Sequence, residues 1–192
     1  MADYAIWMFI AYLLGSISSA IIVCKLFNLP DPRTEGSGNP GATNVARIAG
    51  KKLAALVLLG DALKGFIPTV MVHYLFQLPM LTGLTALAAF IGHIYPVFFK
   101  FKGGKGVATA MGGLWGLAWM YGACFTGVWL LFFAFTRTSS IAALLATSVT
   151  TFWIFLSEGF IVSIPIIIMA VIIFWRHREN IKRLLGGTET KI

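Results

Sequence analysis

The segment at residues 36–47, GSGNPGATNVAR, is strongly polar for a chain in which 58% of residues are hydrophobic. Its glycines and proline free the backbone from regular structure, and successive N–H groups in such a turn can point inward and bind an anion. The candidate binding residues in it are Ser37, Gly38, Asn39, Gly41, Thr43, Asn44 and Arg47. An arginine fork suits a phosphate. The segment lacks the Walker spacing, so a connection that only caps the next helix is the alternative.

A second polar segment covers residues 100–113, KFKGGKGVATAMGG. Gly103 and Gly104 precede Lys105 and Gly106 follows it, so the backbone can approach a ligand closely on both sides of one cation. A helix is predicted to begin after these residues, and the free N–H groups of a helix N terminus favour a phosphate. A basic membrane anchor with glycines that pack helices is the alternative. That alternative explains Lys100 and Lys102, but it does not explain the glycines on both sides of Lys105.

The third polar segment is RHRENIKR, at residues 176–183, directly after the last apolar run. His177 and Asn180 are three residues apart, so a helix would place them on one face, where both can act on a single substrate group. Glu179 could pair with a nearby cation. The surrounding arginines and lysine are typical of a solvated helix end, which is the alternative for this segment.

Two further polar features accompany these segments. Ser139 and Ser140, within RTSS, are predicted either to cap the helix that follows or to contribute to the site. Asp61 and Lys64 form the only opposite-charge pair inside an apolar run, where ionisable groups are costly and usually paired. We interpret them first as a structural pair beneath the site.

The elements that must position these residues are membrane helices. The mean hydropathy is +0.86, and apolar runs cover residues 4–27, 53–76, 80–99, 106–136, 140–157 and 160–175. Because a spanning helix needs about 20 apolar residues, six or seven spans are predicted in a single membrane-embedded domain, residues 1–192. Cys24 and Cys124 fall in apolar runs and indicate neither a metal nor a redox centre.

The distribution of basic residues selects between six and seven spans. If residues 106–136 form two short helices, every lysine and arginine except Lys64 lies on one side of the membrane. The positive-inside rule then predicts seven helices, an outside amino terminus and a cytoplasmic carboxyl terminus. One long helix at 107–135 would place the basic tail outside and is rejected. The net charge of +8 then concentrates on the cytoplasmic face, which favours anionic headgroups or anionic substrates.

On this topology all three polar segments share the cytoplasmic face, which predicts a site for phosphate-bearing molecules beside lipid. Carboxylates are too few there for the aspartate cluster of a metal-dependent transferase. Acyl transfer can rely instead on positioning and on stabilising a developing oxyanion. A transporter of phosphate or a phosphate ester is the alternative function, disfavoured because no polar segment lies on the outer side. A scaffold that binds anionic lipid would leave the glycines unexplained.

In order, GSGNPGATNVAR, GDALKG, GHIYPVFFKFKGGKGVAT, RTSS and RHRENIKR resemble the motifs of the bacterial acyl-phosphate:glycerol-3-phosphate acyltransferases, the PlsY family, over essentially the whole chain. The resemblance implies an all-α polytopic bundle in the bacterial cytoplasmic (inner) membrane, surrounded by membrane lipid. It implies transfer of a fatty acyl group from acyl phosphate to the 1-hydroxyl of glycerol 3-phosphate. The products would be lysophosphatidic acid and phosphate, in the first step of phospholipid synthesis. No cofactor, metal or nucleic-acid partner is expected, and no pattern indicates an oligomeric state.

The resemblance also implies roles for the polar residues. Those implied to act in catalysis are Arg47, Lys105, Ser140, His177 and Asn180. Those implied to bind substrate are Ser37, Gly38, Asn39, Gly41, Thr43, Asn44, Gly103, Gly104, Gly106 and Ser139. Acyl phosphate is a mixed anhydride, so no enzyme nucleophile is required, and the hydroxyl proton could pass to His177 or to the leaving phosphate. The basic neighbours of His177 favour the phosphate slightly.

Overall fold

The computed structural model describes residues 2–191, which contain helices and no strand. Met1 and Ile192, the ends of the predicted 1–192 domain, lie outside this described part. The α-helices are α1 Ala2–Gly15, α2 Ser19–Leu26, α3 Ala42–Ala49, α4 Lys51–Phe76, α5 Pro79–Ile94, α6 Val107–Leu117, α7 Trp119–Thr136, α8 Ser139–Arg176 and α9 Arg178–Leu185. A short 3-10 helix, Val97–Phe99, follows α5.

Several of these helices are long and apolar enough to cross a membrane. Within residues 2–191 there are five such segments: Asp3–Leu26, Lys51–Phe76, Pro79–Phe99, Trp119–Thr136 and Ser139–Arg176. Helix α6 is apolar but shorter. An all-helical, multi-pass membrane architecture is therefore confirmed. The count of seven spans and the orientation of the termini stay predictions.

The apolar run at residues 106–136 is divided into two helices, as the charge distribution predicted. Helix α6 ends where Ala118 adopts an extended conformation with φ −160° and ψ 137°, and α7 begins directly afterwards. The short α6 is therefore a helix separate from α7. The glycines around Lys105 directly precede α6.

Helix α8 reverses direction within its length. Gly159 has φ 77° and ψ 174°, a left-handed conformation that favours glycine and interrupts the helix. A straight helix of 38 residues would be about 57 Å long. Yet Ser140, near its start, and Asn180, just beyond its end, both donate hydrogen bonds to the same oxygen of Glu189, over 2.8 and 2.5 Å. The two halves of α8 therefore return to the same end of the bundle.

Glycines allow neighbouring helices of the bundle to pack with their backbones in close contact. A Cβ atom at Gly112 of α6 would lie 1.9 Å from the carbonyl oxygen of Ala62 in α4. A Cβ atom at Gly92 of α5 would lie 2.2 Å from that of Tyr12 in α1. Such small-residue contacts are typical of membrane helices, where close backbone packing replaces the hydrophobic effect. The Gly112 contact places α6 directly against α4.

The Asp61–Lys64 pair lies buried on α4. The Lys64 Nζ atom is 2.9 Å from Asp61 Oδ1 and donates to the carbonyl oxygen of Ile17 over 2.7 Å. Ile17 lies in the break between α1 and α2, where a carbonyl loses its helical partner and needs another donor. The His93 Nδ1 atom of α5 is 3.7 Å from the same carboxylate oxygen. These contacts support the interpretation of a structural pair. They connect α4 to α5 and to the break between α1 and α2.

Candidate active site

The three polar segments and the RTSS serines meet at one cavity of about 230 Å³, which is lined by residues of every helix from α3 to α9. Twelve of the predicted site residues line it: Ser37, Asn39, Gly41, Thr43, Asn44, Arg47, Lys105, Gly106, Ser139, Ser140, His177 and Asn180. Within the described residues, Gly38, Gly103 and Gly104 do not line it. A second, more polar cavity of about 540 Å³ adjoins the first and includes Arg47, Lys105 and Asn180 in its wall.

Asn44 holds the first polar segment in shape. Its Nδ2 atom donates to the carbonyl oxygens of Pro32 and Glu35 over 2.9 and 3.0 Å, and its Oδ1 atom accepts from the Ser37 N–H over 2.8 Å. These three bonds occupy the amide of a side chain that is only 1% exposed. Asn44 therefore positions Ser37 and the loop around it, although the sequence suggested that its side chain would bind a substrate.

The glycines before Lys105 pack that loop against α5. The N–H groups of Gly103 and Gly104 donate to the carbonyl oxygens of Ile94 and His93, both over 3.2 Å. A Cβ atom at Gly104 would lie 2.3 Å from the His93 ring, so a larger residue would displace the loop. Gly103 and Gly104 thus place Lys105 at the cavity without lining it themselves.

Lys105 projects into the cavity from the start of α6 and donates a hydrogen bond to Asn180 Oδ1. Burial, together with the charge of Arg183, lowers the pKa of Lys105 to about 8. At neutral pH the ammonium group remains largely protonated. It is therefore a partly desolvated cation, which interacts more strongly with an anion than a solvated one does.

His177 is buried at the carboxyl-terminal end of α8, and its Nδ1 atom lies 2.8 Å from the carbonyl oxygen of Ile173. Because a carbonyl oxygen only accepts hydrogen bonds, Nδ1 carries the proton and Nε2 of a neutral ring keeps its lone pair. Burial lowers the pKa of His177 to about 4, and the charge of Lys105 acts in the same direction. The ring is therefore neutral at pH 7 and presents a hydrogen-bond acceptor.

Glu189 is a site residue that sequence reasoning missed. It lies in the tail after α9, where Oε1 accepts bonds from Ser140 and Asn180 and Oε2 accepts one from Arg183 Nε over 2.7 Å. Burial alone would raise its pKa, but these donors hold the pKa below its usual range. The carboxylate thus aligns three donors around the cavity. A single glutamate in a polar tail carries no sequence signal of such a role.

His93 and Arg176 were also missed as neighbours of the site, whereas Asp61 had been predicted to lie beneath it. Asp61 and His93 line the cavity, and Arg176 lines the adjoining polar one. The glycine-rich segment between His93 and α6 offered a signal for His93, since a loop of this kind must pack on the helix that precedes it. Between residues 2 and 191, no group of three or more His, Cys, Asp or Glu side chains could hold a metal ion.

The opposite wall of the cavity is apolar. Its side chains come from α4, α6 and α7 and are Leu58, Val107, Met111, Phe125, Trp129 and Leu130. Leu58 and Leu130 are 43% and 56% exposed on the outer surface of the bundle. A small cavity thus has cationic, hydroxyl and amide groups in one part of its lining and apolar side chains in another. Such a pairing can hold an anionic headgroup and an aliphatic chain together.

Comparison with known proteins decides the family. A sequence model described as glycerol-3-phosphate acyltransferase matches residues 5–187. The chain belongs to the glycerol-3-phosphate acyltransferase family. The predicted acyltransferase activity on glycerol 3-phosphate is thereby confirmed.

Relatives support this membership over nearly the full length. The glycerol-3-phosphate acyltransferase of Francisella tularensis subsp. holarctica (strain OSU18) is 50% identical over 190 residues, covering 99% of this chain and 93% of the relative. That of Ruthia magnifica subsp. Calyptogena magnifica is 48% identical over 190 residues, covering 98% and 96%. The family prediction drawn from the motifs is therefore confirmed.

Two solved structures of the acyltransferase family have the same fold. Both are crystal structures of PlsY (YgiH), an integral membrane glycerol 3-phosphate acyltransferase. The glycerol 3-phosphate form has a TM-score of 0.94 and 41% identity, covering 99% of this chain and 96% of that one. The lysophosphatidic acid form has a TM-score of 0.90 and 40% identity, covering 99% and 95%.

Proposed function

We propose that this acyltransferase moves a fatty acyl group from acyl phosphate to the 1-hydroxyl of glycerol 3-phosphate, releasing lysophosphatidic acid and phosphate. The whole chain, 1–192, would act as one domain in the bacterial cytoplasmic membrane. Seven spans would place the amino terminus outside and the site at the cytoplasmic face. The reversal of α8 at Gly159 and the separation of α6 from α7 support that count. The one-sided distribution of basic residues supports the orientation.

The observation that carries the proposal is the cavity with one basic wall and one apolar wall. The polar cavity of about 540 Å³ includes five basic side chains, Arg47, Lys105, Arg176, Arg178 and Arg183, and suits a small dianion such as glycerol 3-phosphate. The apolar wall between α4 and α7 suits an acyl chain that enters from lipid. The residues common to both cavities lie where the two substrates would meet.

The residues that line the shared region fit distinct roles. The loop around Ser37 and Thr43 would hold the donor's phosphate, while Arg47 and Lys105 would hold the phosphate of the acceptor. Ser140 and Asn180 both donate hydrogen bonds to Glu189, which keeps them in place around the reacting groups. Fixing two substrates in this way converts a bimolecular reaction into an effectively unimolecular one.

In the proposed reaction the 1-hydroxyl oxygen bonds to the carbonyl carbon of the acyl phosphate. The bond from that carbon to the phosphate oxygen breaks, and the hydroxyl proton passes to the leaving phosphate. A histidine whose pKa is about 4 is a weak base at neutral pH, whereas an efficient general base has a pKa near the working pH. His177 Nε2 would therefore accept a hydrogen bond from the 2-hydroxyl of glycerol 3-phosphate and orient the acceptor, while the 1-hydroxyl proton stays free to pass to the phosphate.

We expect His177→Asn to retain more than about a tenth of the wild-type kcat, because one orienting hydrogen bond is worth about 0.5–1.5 kcal/mol. The asparagine amide can still donate to the carbonyl oxygen of Ile173. The measurement is steady-state phosphate release with saturating substrates. His73→Asn, near the far end of α4, is the matched control and should be unchanged. A loss of about 10²–10⁴-fold in His177→Asn would identify the imidazole as the general base instead.

We expect kcat/KM for glycerol 3-phosphate to fall above about pH 8. Lys105 binds an anion as a cation, its pKa in the free protein is about 8, and the charge is lost as the pH rises through that value. Lys105→Arg should lack this alkaline decline, since arginine stays protonated. The rate is measured after subtracting spontaneous hydrolysis of the donor. An unchanged decline in Lys105→Arg would assign it to another group.

The test of the function uses the purified chain in lipid, with glycerol 3-phosphate and either palmitoyl phosphate or palmitoyl-CoA. Lysophosphatidic acid and phosphate should form from palmitoyl phosphate alone, and a chelator should not change the rate. Product from palmitoyl-CoA but not from palmitoyl phosphate would overturn the proposed donor. Loss of activity with the chelator, restored by a metal ion, would overturn the metal-independent reaction.

A further inference from the structure

Arg176 lies in the wall of the polar cavity, but the reaction above assigns it no contact with a substrate. Its Nη2 atom donates to the carbonyl oxygens of Gly103 and Gly104 over 3.0 and 2.9 Å. Its Nε atom is buried and has no hydrogen-bond partner within residues 2–191. The guanidinium group is thus held against the backbone of the loop that carries Lys105, although the two residues lie far apart in sequence.

The contact determines which way one peptide group faces. The Gly104 carbonyl and the Lys105 N–H belong to a single planar trans peptide, so they point in opposite directions. Because Arg176 holds the carbonyl, the N–H is directed away from Arg176. No hydrogen bond among the described residues uses this N–H, whereas the preceding one, on Gly104, donates to His93.

The free N–H lies beside other unpaired donors. Val107 and Ala108 open α6, and the first N–H groups of a helix have no partner within it. Lys105, Val107 and Ala108 all line the cavity of about 230 Å³, and Lys105 also lines the adjoining polar cavity. Their backbone N–H groups and the Lys105 ammonium are therefore suited to one anionic group. A rotated peptide would present the Gly104 carbonyl oxygen there and repel the anion.

We propose that Arg176 is a positioning residue for binding of the acceptor's phosphate. By holding two successive carbonyls, it keeps the Lys105 N–H directed toward glycerol 3-phosphate without touching the substrate. The inference rests on the proposed function, in which the region around Lys105 binds the acceptor. Arg176 acts through the loop, so its removal weakens binding of the acceptor and leaves binding of the donor largely unchanged.

The test measures glycerol 3-phosphate binding to the full-length chain in lipid by calorimetry, with no donor present. In Arg176→Met the Kd should rise at least about tenfold, because a hydrogen bond to a charged group is lost. Lys182→Met is the matched control: it removes the same charge, but the Lys182 side chain is exposed, lies outside both cavities and pairs with Glu179. We expect its Kd to change by less than about twofold. Arg176→Lys, which keeps one donor, should give an intermediate value.

Two readouts separate positioning from a general effect of charge. The increase in Kd for Arg176→Met should persist at high salt, because salt screens exposed charges but not a backbone contact. In turnover assays the KM for glycerol 3-phosphate should rise while the KM for palmitoyl phosphate stays within about twofold, since one hydrogen bond to the acceptor is lost. Equal effects of Arg176→Met and Lys182→Met, or an unchanged Kd for Arg176→Met, would overturn the inference.

Folding and function are checked separately. Thermal unfolding in the same lipid shows whether Arg176→Met is folded. If Arg176→Met is not folded, the binding test uses Arg176→Lys only, and an unchanged Kd for glycerol 3-phosphate in that variant overturns the inference. Since the binding measurement needs no donor, failure of palmitoyl phosphate as a substrate would overturn the proposed donor and leave the result for Arg176 intact.

Discussion

Lys105→Met is expected to lower kcat/KM for glycerol 3-phosphate by about 10²–10³-fold, the usual cost of removing one group that stabilises developing charge. Methionine keeps the length and apolar stem of lysine, so the start of α6 should fold normally. What is lost is a partly buried cation that lies in the cavity and donates to Asn180. Steady-state kinetics with both substrates varied measure the effect.

The matched control is Lys102→Met. Lys102 lies three residues earlier on the same loop and carries the same charge, but its side chain is exposed and lies outside the cavity. It should change kcat/KM by less than about threefold, since exposed charges are screened by solvent and salt. Similar losses in the two variants would mean that Lys105 acts through the general positive field, contrary to its proposed contact with substrate.

Glu189→Ala is expected to lower kcat/KM by about 10–10²-fold, because buried donors left without an acceptor cost about 1–3 kcal/mol and lose their alignment. The Glu189 carboxylate accepts bonds from Ser140, Asn180 and Arg183, and its side chain is only 6% exposed. Without it, the tail after α9 loses its main anchor at the site. The measurement is turnover together with the midpoint of thermal unfolding.

The control for this prediction is Glu35→Ala. Glu35 carries the same charge, but its side chain is exposed and lies outside both cavities. Exposed charges are screened by solvent and salt, so we expect activity within about twofold of wild type. Glu189→Gln, which keeps an acceptor for Ser140 and Asn180, should lose less activity than Glu189→Ala. Full activity in Glu189→Ala would show that the tail is not needed to align the site.

The polar segments were the most informative part of the sequence. Glycine, hydroxyl and cation clusters stand out in an apolar chain, because each polar group near a membrane must be satisfied or used. Twelve of the fifteen predicted site residues line the cavity of about 230 Å³. The three exceptions, Gly38, Gly103 and Gly104, show the limit of residue type. A glycine can approach a ligand or a helix, and only the packing against α5 shows which one Gly104 contacts.

Residue type was also insufficient to predict what the side chains of Asn44 and Arg176 contact. Both are polar residues in the right segments, but each one hydrogen-bonds to backbone of the surrounding loops. Whether a side chain faces a substrate or a carbonyl depends on the direction of the chain a few residues away. Local sequence spacing does not contain that information.

The sequence by itself determined the helical class, the membrane location and the family. Hydropathy and short motifs are local properties, so they can be recognised in the sequence without knowledge of how the helices pack. Tertiary structure alone decided that Glu189 reaches Ser140 and that Arg176 reaches the loop before Lys105. These contacts join residues 49 and 73 positions apart. They exist because α8 turns back at Gly159 and returns both of its ends to one face of the bundle.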